Sequence, residues 1–392
     1  MNKRILTVNG GSSSIKVAVF ELSGNTLTRT ASITLTRIGL PEEELRWKQP
    51  VDAPATKTAV PQMDLMRSSE FLCAKILEQY KAADIAVVGH RIVHGGSKHW
   101  LPELITNDLI ESLTLLTPYD PLHMPASLKL VAGFQSALPG IPQMACFDTG
   151  FCHSLPPEAQ VLPVANQFQI EGIRRYGFHG LSCTHLMDRL RVMAPQSAVG
   201  SVVLAHLGSG CSLTAVKAGQ PIETTMAFTP NSGIPMGTRC GDIDAGLYPY
   251  LSKTFSKTIS ELDVLLTTQS GLLGISGSSS DMRDLLQRES VDPRAALAVS
   301  TFCYQVRKAI GALAAAMGGL DAVVFTGGIG ESSGEIRKRI CSGLEFLGIA
   351  LEPAANSANH ELISTEAALV RVFAIPADEE IVIAEGCLKQ TQ

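Results

Sequence analysis

No two of the nine cysteines are spaced C-x-x-C. They stand singly at 73, 146, 152, 183, 211, 240, 303, 341 and 387. An odd, scattered set argues against a zinc site or a disulfide framework and for reduced thiols in the cytoplasm. The chain also lacks any run of Lys or Arg and any basic patch interleaved with aromatics. With a net charge of −5, that speaks against nucleic acid or an anionic membrane as a partner. No apolar stretch is long enough to read as a membrane span. The nearest, 310–325, holds three glycines and is broken by Asp321, so it reads as a packed helix leading into a buried strand. Met1-Asn2-Lys3-Arg4 mimics the start of a signal peptide, but Asn9 interrupts the apolar residues behind it and no cleavage site follows, so no export is expected. Finally, no G-x-x-x-x-G-K-[ST] occurs, which excludes a Walker loop.

What is present is ordinary globular material: 392 residues, 45% hydrophobic and 18% charged, enough for two domains. The most informative segment is Asn9-Gly10-Gly11-Ser12-Ser13-Ser14-Ile15-Lys16, set between an apolar strand Ile5–Val8 and a second strand Ile15–Phe20. Its glycines allow close backbone approach, its hydroxyls offer hydrogen bonds and Lys16 a fixed charge, which suits a phosphate. A plain tight turn has the same composition. Recurrence favours the first reading. Val202–Leu207 runs into Gly208-Ser209-Gly210-Cys211-Ser212 and out through Leu213–Val216, and Ala322–Phe325 runs into the turn Thr326–Ser332 and a helical pattern over 333–347. Two similar hairpins half a chain apart predict a duplicated domain with a ligand held in a cleft between the halves.

Residues 25–60 are polar and Pro-containing and read as an irregular peripheral excursion. The spacing predicts a helix over 68–82, a strand 85–89 delivering His90–Gly96, a helix 126–135, and a strand 143–147 ending at Asp148. Polar residues at strand ends are where α/β sites assemble. The Gly/Thr/Ser/Pro-rich tract 221–285 keeps its apolar residues and is expected to form ordered loops around one helix, 246–252. The tail predicts a strand 370–376 and a helix 381–388, with Asp378-Glu379-Glu380 at its start. Acidic residues in a first turn also suit the helix dipole, so the carboxylate pair Glu379-Glu380 has two readings.

These motifs together resemble the acetate kinases, within the superfamily of acetate and sugar kinases, heat-shock chaperones and actin. The resemblance runs through Asn9–Lys16, His90–Gly96, Pro121–Pro125, Phe147–Phe151, Arg174–Gly180, His206–Ser212, Met236–Asp244, Ser270–Asp284, Phe325–Ser332 and Ile375–Ile383. It implies an α/β chain of two duplicated actin-like (ribonuclease H-like) domains with an interdomain nucleotide cleft. The first would be 1–147 with 378–392; the second, 148–377, would bind nucleotide and dimerise. The implied activity is reversible phosphorylation of acetate by ATP to acetyl phosphate, with Mg²⁺, or Mn²⁺ in its place, in a cytoplasmic homodimer. By the same resemblance Asp148, Arg91, His179 and Arg239 are catalytic, and Asn9 and Glu379 hold the metal. The nucleotide falls to Lys16, Ser12, Ser14, His206, Leu207, Gly208, Ser209, Gly210, Asp281, Met282, Arg283, Gly328, Ile329, Gly330, Glu331 and Ser332. Val93, Leu122, Phe178 and Pro230 line the substrate pocket.

The chemistry suits these types. Phosphoryl transfer to a carboxylate joins two anions, so the site must neutralise charge and align the reactants. Arg91 and Arg239 offer planar, permanently charged forks for carboxylate or phosphoryl oxygens. Each has an alternative as a surface ion-pair partner. His179 could donate to the transferring group, although His206 and His94 have comparable local surroundings. A carboxylic substrate is already ionised at neutral pH, so Asp148 has no proton to remove and is expected to orient Arg91 or the metal's waters. Apolar pocket walls discriminate chain length by only about 1–3 kcal/mol per methylene, which keeps propionate open as a substrate. Core packing is the alternative reading for Val93 and Leu122.

Some positions depart from the family pattern. Gly150 and Cys152 replace Ala and His, Ser209 and Cys211 replace Asn and Ala, Leu181 and Cys183 replace Thr and His, and Ser332 replaces Asn. Each Asn-to-Ser change shortens a polar arm beside the nucleotide by one hydrogen bond of about 0.5–1.5 kcal/mol. Three alternatives follow: a kinase of propionate or another short carboxylate, an ATPase of the chaperone or actin kind, and a nucleotide-binding regulator. The two site arginines favour a carboxylate kinase over bare hydrolysis.

Overall fold

A continuous buried run, Ile5 to Asn9, builds the first strand, β1 (Lys3–Gly10), which is covered on both faces, and its register partners set everything around it. In the computed structural model, which describes residues 3–11, 14–170 and 172–391, the chain folds as two compact units. Met1–Phe151 and Asp378–Gln392 form one, and Cys152–Ala377 the other. Asp148, expected to open the second domain, belongs to the first unit with Arg91.

The first unit's sheet is made of β1, β2 (Ser14–Ser23), β3 (Thr26–Thr36), β4 (Glu43–Lys48), β5 (Thr56–Val60), β6 (Ile85–Ile92), β7 (Glu103–Leu104) and β8 (Gln143–Phe147), in the order 5-4-3-2-1-6-8-7. β1 pairs antiparallel with β2 and parallel with β6, and β6 is parallel to β8. Residues 25–60 are therefore not an irregular excursion: three strands there widen the sheet. The reason is the buried alternation Ala31, Ile33, Leu35 between outward Ser and Thr, which the prolines of the flanking loops had masked. One sheet face packs Leu6, Val8, Val17 and Val19 against Leu72, Ile76, Leu130 and Phe134 of the helices Leu65–Leu77 and Met124–Ala137. The other receives the C-terminal helix Glu379–Thr391, so closely that a Cβ at Gly89 would lie 2.5 Å from Ile383 Cγ2 and 2.6 Å from Cys387 Sγ.

The second unit repeats the scheme with β9 (Ser201–Leu207), β10 (Cys211–Lys217), β11 (Gln220–Thr224), β12 (Ala322–Thr326) and β13 (Arg371–Ala374), ordered 11-10-9-12-13. Here too a three-strand antiparallel run continues into two parallel strands. The order 3-2-1-6-8 of the first sheet and 11-10-9-12-13 of the second are one topology used twice. The 25-residue helix Pro293–Met317 packs across β9–β11.

Two local expectations give way in this unit. The tract 221–285 carries four helices, Leu247–Phe255, Ile259–Thr268, Gly271–Ser276 and Met282–Arg288, where one was expected. Side-chain caps start two of them: Thr258 with Glu261 as a capping box, and Asp281. The segment after β12 is a short helix, Gly327–Ser332, and not an open turn. Gly327 at φ 75° makes the bend, where a Cβ would stand 2.7 Å from Leu207 O. No helix among the described residues is long and apolar enough to cross a membrane.

Candidate active site

In the first unit, β1, β6 and β8 run parallel, so their carboxyl ends open on one side of the sheet, where α/β sites form. Asn9 lies at the end of β1, Arg91 near the end of β6, and Asp148 one residue past β8, its N–H donating to Ile92 O at 2.9 Å. Arg91 donates to Asp148 Oδ2 from Nε at 2.9 Å and Nη2 at 2.5 Å. Its Nη1 reaches Gly10 O at 3.2 Å and Asn9 Oδ1 at 3.4 Å. The Asp148 side chain is fully buried and its Oδ1 has no hydrogen-bond partner.

A second carboxylate group closes this end. Asn9 Nδ2 donates to Glu379 Oε2 at 2.8 Å and to Glu380 Oε1 at 3.0 Å, and Glu379 Oε2 lies 3.8 Å from Arg91 Nε. Lys16 stands opposite Asn9 in the β1–β2 register, exposed on the same face. Burial raises the Glu380 carboxyl above its ordinary value, with Lys16 pulling it down and Glu379 adding to the rise. Burial likewise raises Asp148, against the pull of Arg91. Burial works to lower Arg91, but Asp148 and then Glu379 outweigh it and hold the guanidinium above its ordinary value.

Two carboxylates converging on one amide, one of them raised by burial and its neighbour's charge, form a set that a divalent cation would relieve. Among the described residues no cluster of three or more His, Cys, Asp or Glu is placed to cage a metal. Two carboxylates beside one amide are of the donor type that suits Mg²⁺, which keeps waters and takes one or two carboxylates together with substrate phosphate oxygens. Ser14 accepts from Gly11 N–H at 2.8 Å through its carbonyl, closing the hairpin turn, while Ser12 lies outside the described residues. Val93 is buried, whereas Leu122 is half exposed and is not a core residue.

In the second unit His179 takes φ 58°, a left-handed conformation uncommon for histidine, at the head of the helix Gly180–Met193. Strained residues of this kind cluster at functional sites. Its Nδ1 bonds Ser212 Oγ at 2.9 Å, and its ring stacks on His206 with centroids 4.1 Å apart. His206 is itself fixed by Ser182 Oγ at 2.9 Å. The glycine turn after β9 lies against both candidate groups: a Cβ at Gly210 would sit 3.4 Å from His179 Nε2 and 3.5 Å from Arg239 Nη1. Arg239 donates from Nη1 to Pro230 O at 3.1 Å, and Phe178, the residue before His179, is buried.

The other nucleotide candidates are distributed around this turn. A Cβ at Gly208 would lie 4.0 Å from Gly328 N, so the two Gly-rich segments stand close together. Leu207 is buried at the end of β9; Ser209, Gly328 and Ser332 are exposed, Ile329 half-buried, Gly330 buried. Glu331 turns inward, where Oε1 accepts from Thr326 Oγ1 at 3.2 Å, Gly327 N at 2.9 Å and Ala377 N at 2.7 Å, so its carboxylate shapes the segment. Asp281 caps the helix Met282–Arg288 and binds Arg283 at 2.5 Å, which lowers the Asp281 pKa; Met282 is buried.

Sequence reasoning left Glu380 with two readings and did not single out Ser212 or Arg337. Arg337 is fully buried and donates to Gly330 O at 2.7 Å, Glu331 O at 2.8 Å and Asn356 Oδ1 at 2.9 Å, tying down the helix 327–332. The sign of it was available: Arg337 and Cys341 share one face of the helix Gly334–Cys341 beside Ile336 and Ile340.

Two sheets of one topology, each presenting polar groups at its parallel strand ends, define a duplicated actin-like fold of the kind that transfers phosphate. A sequence profile of the acetokinase family matches residues 4–385, and the chain belongs to that family. It is 39% identical to the acetate kinase of Methylocella silvestris over 99% of this chain and 98% of that one. It is 38% identical to the propionate kinase of Citrobacter rodentium, over 99% and 97%. Among solved structures it matches the acetate kinase of Porphyromonas gingivalis (TM-score 0.87, 32% identity, 100% of both chains). It likewise matches a propionate kinase of Francisella tularensis (TM-score 0.90, 32% identity, 98% of both). The chain is thus a kinase that transfers phosphate to a carboxylate, and its family uses ATP and ADP as co-substrates.

Proposed function

We propose that this enzyme phosphorylates acetate reversibly from ATP, with propionate as a second substrate. The observation that carries the reading is Arg91: a largely buried guanidinium, kept charged and aimed by the two bonds it donates to Asp148, at the strand ends where Asn9 gathers the Glu379–Glu380 pair of the C-terminal helix. Such a group suits a substrate carboxylate or the phosphoryl group moving to it.

The roles follow from charge. Arg91 and Arg239 neutralise the two anions that must meet, and His179, oriented through Ser212, donates to the phosphoryl oxygens. Asp148 fixes Arg91 and does not act as a base, because the carboxylate substrate has no proton to give up. Lys16 and Ser14, with Ser12, serve the phosphates. His206–Gly210, Asp281–Arg283 and Gly328–Ser332 receive the nucleotide, and the second unit is its binding domain. Asn9 and Glu379 hold Mg²⁺, which would supply charge neutralisation on the phosphates. Val93, Leu122, Phe178 and Pro230 wall the small alkyl group. We further propose a homodimer in the cytoplasm, where nine free thiols are at home.

The test is trapping of acyl phosphate with hydroxylamine, using ATP, Mg²⁺ and the acids from formate to butyrate, beside an Arg91→Ala control. Product that peaks at acetate and collapses in the variant supports the reading. A peak at propionate reassigns the substrate, and no acyl phosphate with any acid sinks the proposal.

A further inference from the structure

Arg29 lies on β3, outside every motif described above, yet it reaches the start of the helix that carries Glu379 and Glu380. The β2–β3 ladder pairs Val19 with Ala31 and Phe20 with Arg29, so Thr30 is an extra residue, a β-bulge. Thr30 Oγ1 donates to Val19 O at 3.2 Å. The bulge changes which way Arg29 faces. Ala31, Ile33 and Leu35 point into the core with Val17 and Val19, and counting back by two from Ala31 would put Arg29 there as well. The extra residue reverses the parity and sets Arg29 beside Phe20 on the opposite face, its guanidinium 5.0 Å from the Phe20 ring. That face is the one covered by the helix Glu379–Thr391.

There Arg29 Nη2 bonds Asp378 Oδ1. The same oxygen accepts from Ile381 N–H at 3.2 Å, which makes Asp378 the cap of the C-terminal helix. The first two residues of that helix are Glu379 and Glu380, the pair gathered by Asn9. One chain of contacts therefore runs from the bulge to the carboxylates, entirely within the first unit.

We propose that Arg29 is a positioning residue: by holding Asp378 as the helix cap it fixes Glu379 and Glu380 against Asn9 for a divalent cation. The inference rests on the reading of Glu379 as a cation ligand. Residues that orient a ligating carboxylate carry much of a site's metal affinity without touching the metal.

The measurement is Mn²⁺ binding by electron paramagnetic resonance in the presence of ADP, with Mg²⁺ activation of acyl phosphate formation beside it. Arg29→Gln is expected to weaken Mn²⁺ binding and raise the half-activating Mg²⁺ by about tenfold, with kcat at saturating Mg²⁺ held within about twofold. Asp378→Asn, which can still cap the helix but loses the charge, should do the same. The double variant should do no more than either alone, and Arg29→Lys should recover part. Unchanged Mn²⁺ affinity in Arg29→Gln, with affinity lost in Glu379→Gln, overturns the positioning role while the cation reading stands. Unchanged affinity in Glu379→Gln as well overturns the cation reading. A fall in kcat alone, not cured by Mg²⁺, also overturns the proposal, because it marks Arg29 as a general structural residue.

Discussion

Removing Arg91 strips a buried carboxylate of its counter-charge, and the size of that loss can be worked from the contacts. Arg91→Met takes both bonds from Asp148 Oδ2, while Oδ1 already lacks a partner. An unpaired buried charge of this kind costs about 3–5 kcal/mol. Asp148→Asn is the milder change, because Arg91 keeps Gly10 O and Asn9 and lies 3.8 Å from Glu379. Its loss is that of charge-assisted bonds, about 1.5–3 kcal/mol. In the double variant no charge is stranded. A coupling of at least about 2 kcal/mol is therefore expected between the two positions. The assay is amide hydrogen exchange in β6 and β8, which reads the opening free energy of the first unit itself. The pH dependence has a definite sign. Burial already raises Asp148, loss of Arg91 raises it further, and only the ionised native form bears the penalty. The cost of Arg91→Met is thus greatest at neutral pH and shrinks as acid protonates Asp148. A coupling under about 0.5 kcal/mol, or a penalty that grows toward acid, would refute the claim that Asp148 and Arg91 act as a buried charged pair. Activity should fall by at least about a hundredfold in Arg91→Met, the usual loss for a donor to transition-state charge.

Three further outcomes are expected. His90, buried against Phe134 and bonded to Gln143 Oε1 at 2.7 Å, has its pKa lowered to about 4 from 6.5 by burial, with Gln143 pulling the other way. The native state therefore excludes the proton that the unfolded chain takes up below pH 6.5. Stability should drop by about 3 kcal/mol between pH 6.5 and 4, and pH-dependent urea melts should show that part gone in His90→Gln. Ser209→Asn and Ser332→Asn each restore an amide arm at an exposed position beside the glycine turns, and each should lower the KM for ATP by about two- to tenfold with kcat unchanged. Arg337→Met leaves the carbonyls of Gly330 and Glu331 without their donor, so a loss of at least about 2 kcal/mol and a raised KM for ATP are expected in melting and initial-rate measurements. Arg337→Lys should not rescue it, because one ammonium cannot span Asn356, Gly330 and Glu331 together.

How far the sequence could be read depended on whether the information was local. The strands that end in Gly-rich turns were legible because apolar runs and glycines are written in consecutive residues, and Gln143–Phe147 stands where its pattern put it. The helices of 221–285 were hidden behind Gly, Ser and Thr, whose low helix propensity is offset there by side-chain caps such as Thr258 with Glu261. Pairings between distant residues were not legible from spacing at all. Nothing local links Arg91 to Asp148, His179 to Ser212, or Asn9 to Glu379 and Glu380: the first pair meets where the parallel strands β6 and β8 end, the second where a helix start meets β10, and the third where the C-terminal helix begins beside the end of β1. Arg29 is the extreme case. Period-2 counting along β3 assigns it to the core face with Ala31, and a single unpaired residue, Thr30, turns that assignment over. A bulge leaves no reliable mark on one strand read alone, since its meaning lies in the register with the neighbour. A residue that strand alternation would mark as a misplaced charge in the core is thereby the one that reaches the cap of the helix bearing the carboxylates. Where alternation and residue type disagree at a single position of an otherwise regular strand, a bulge that re-aims the side chain is a better first reading than a buried charge.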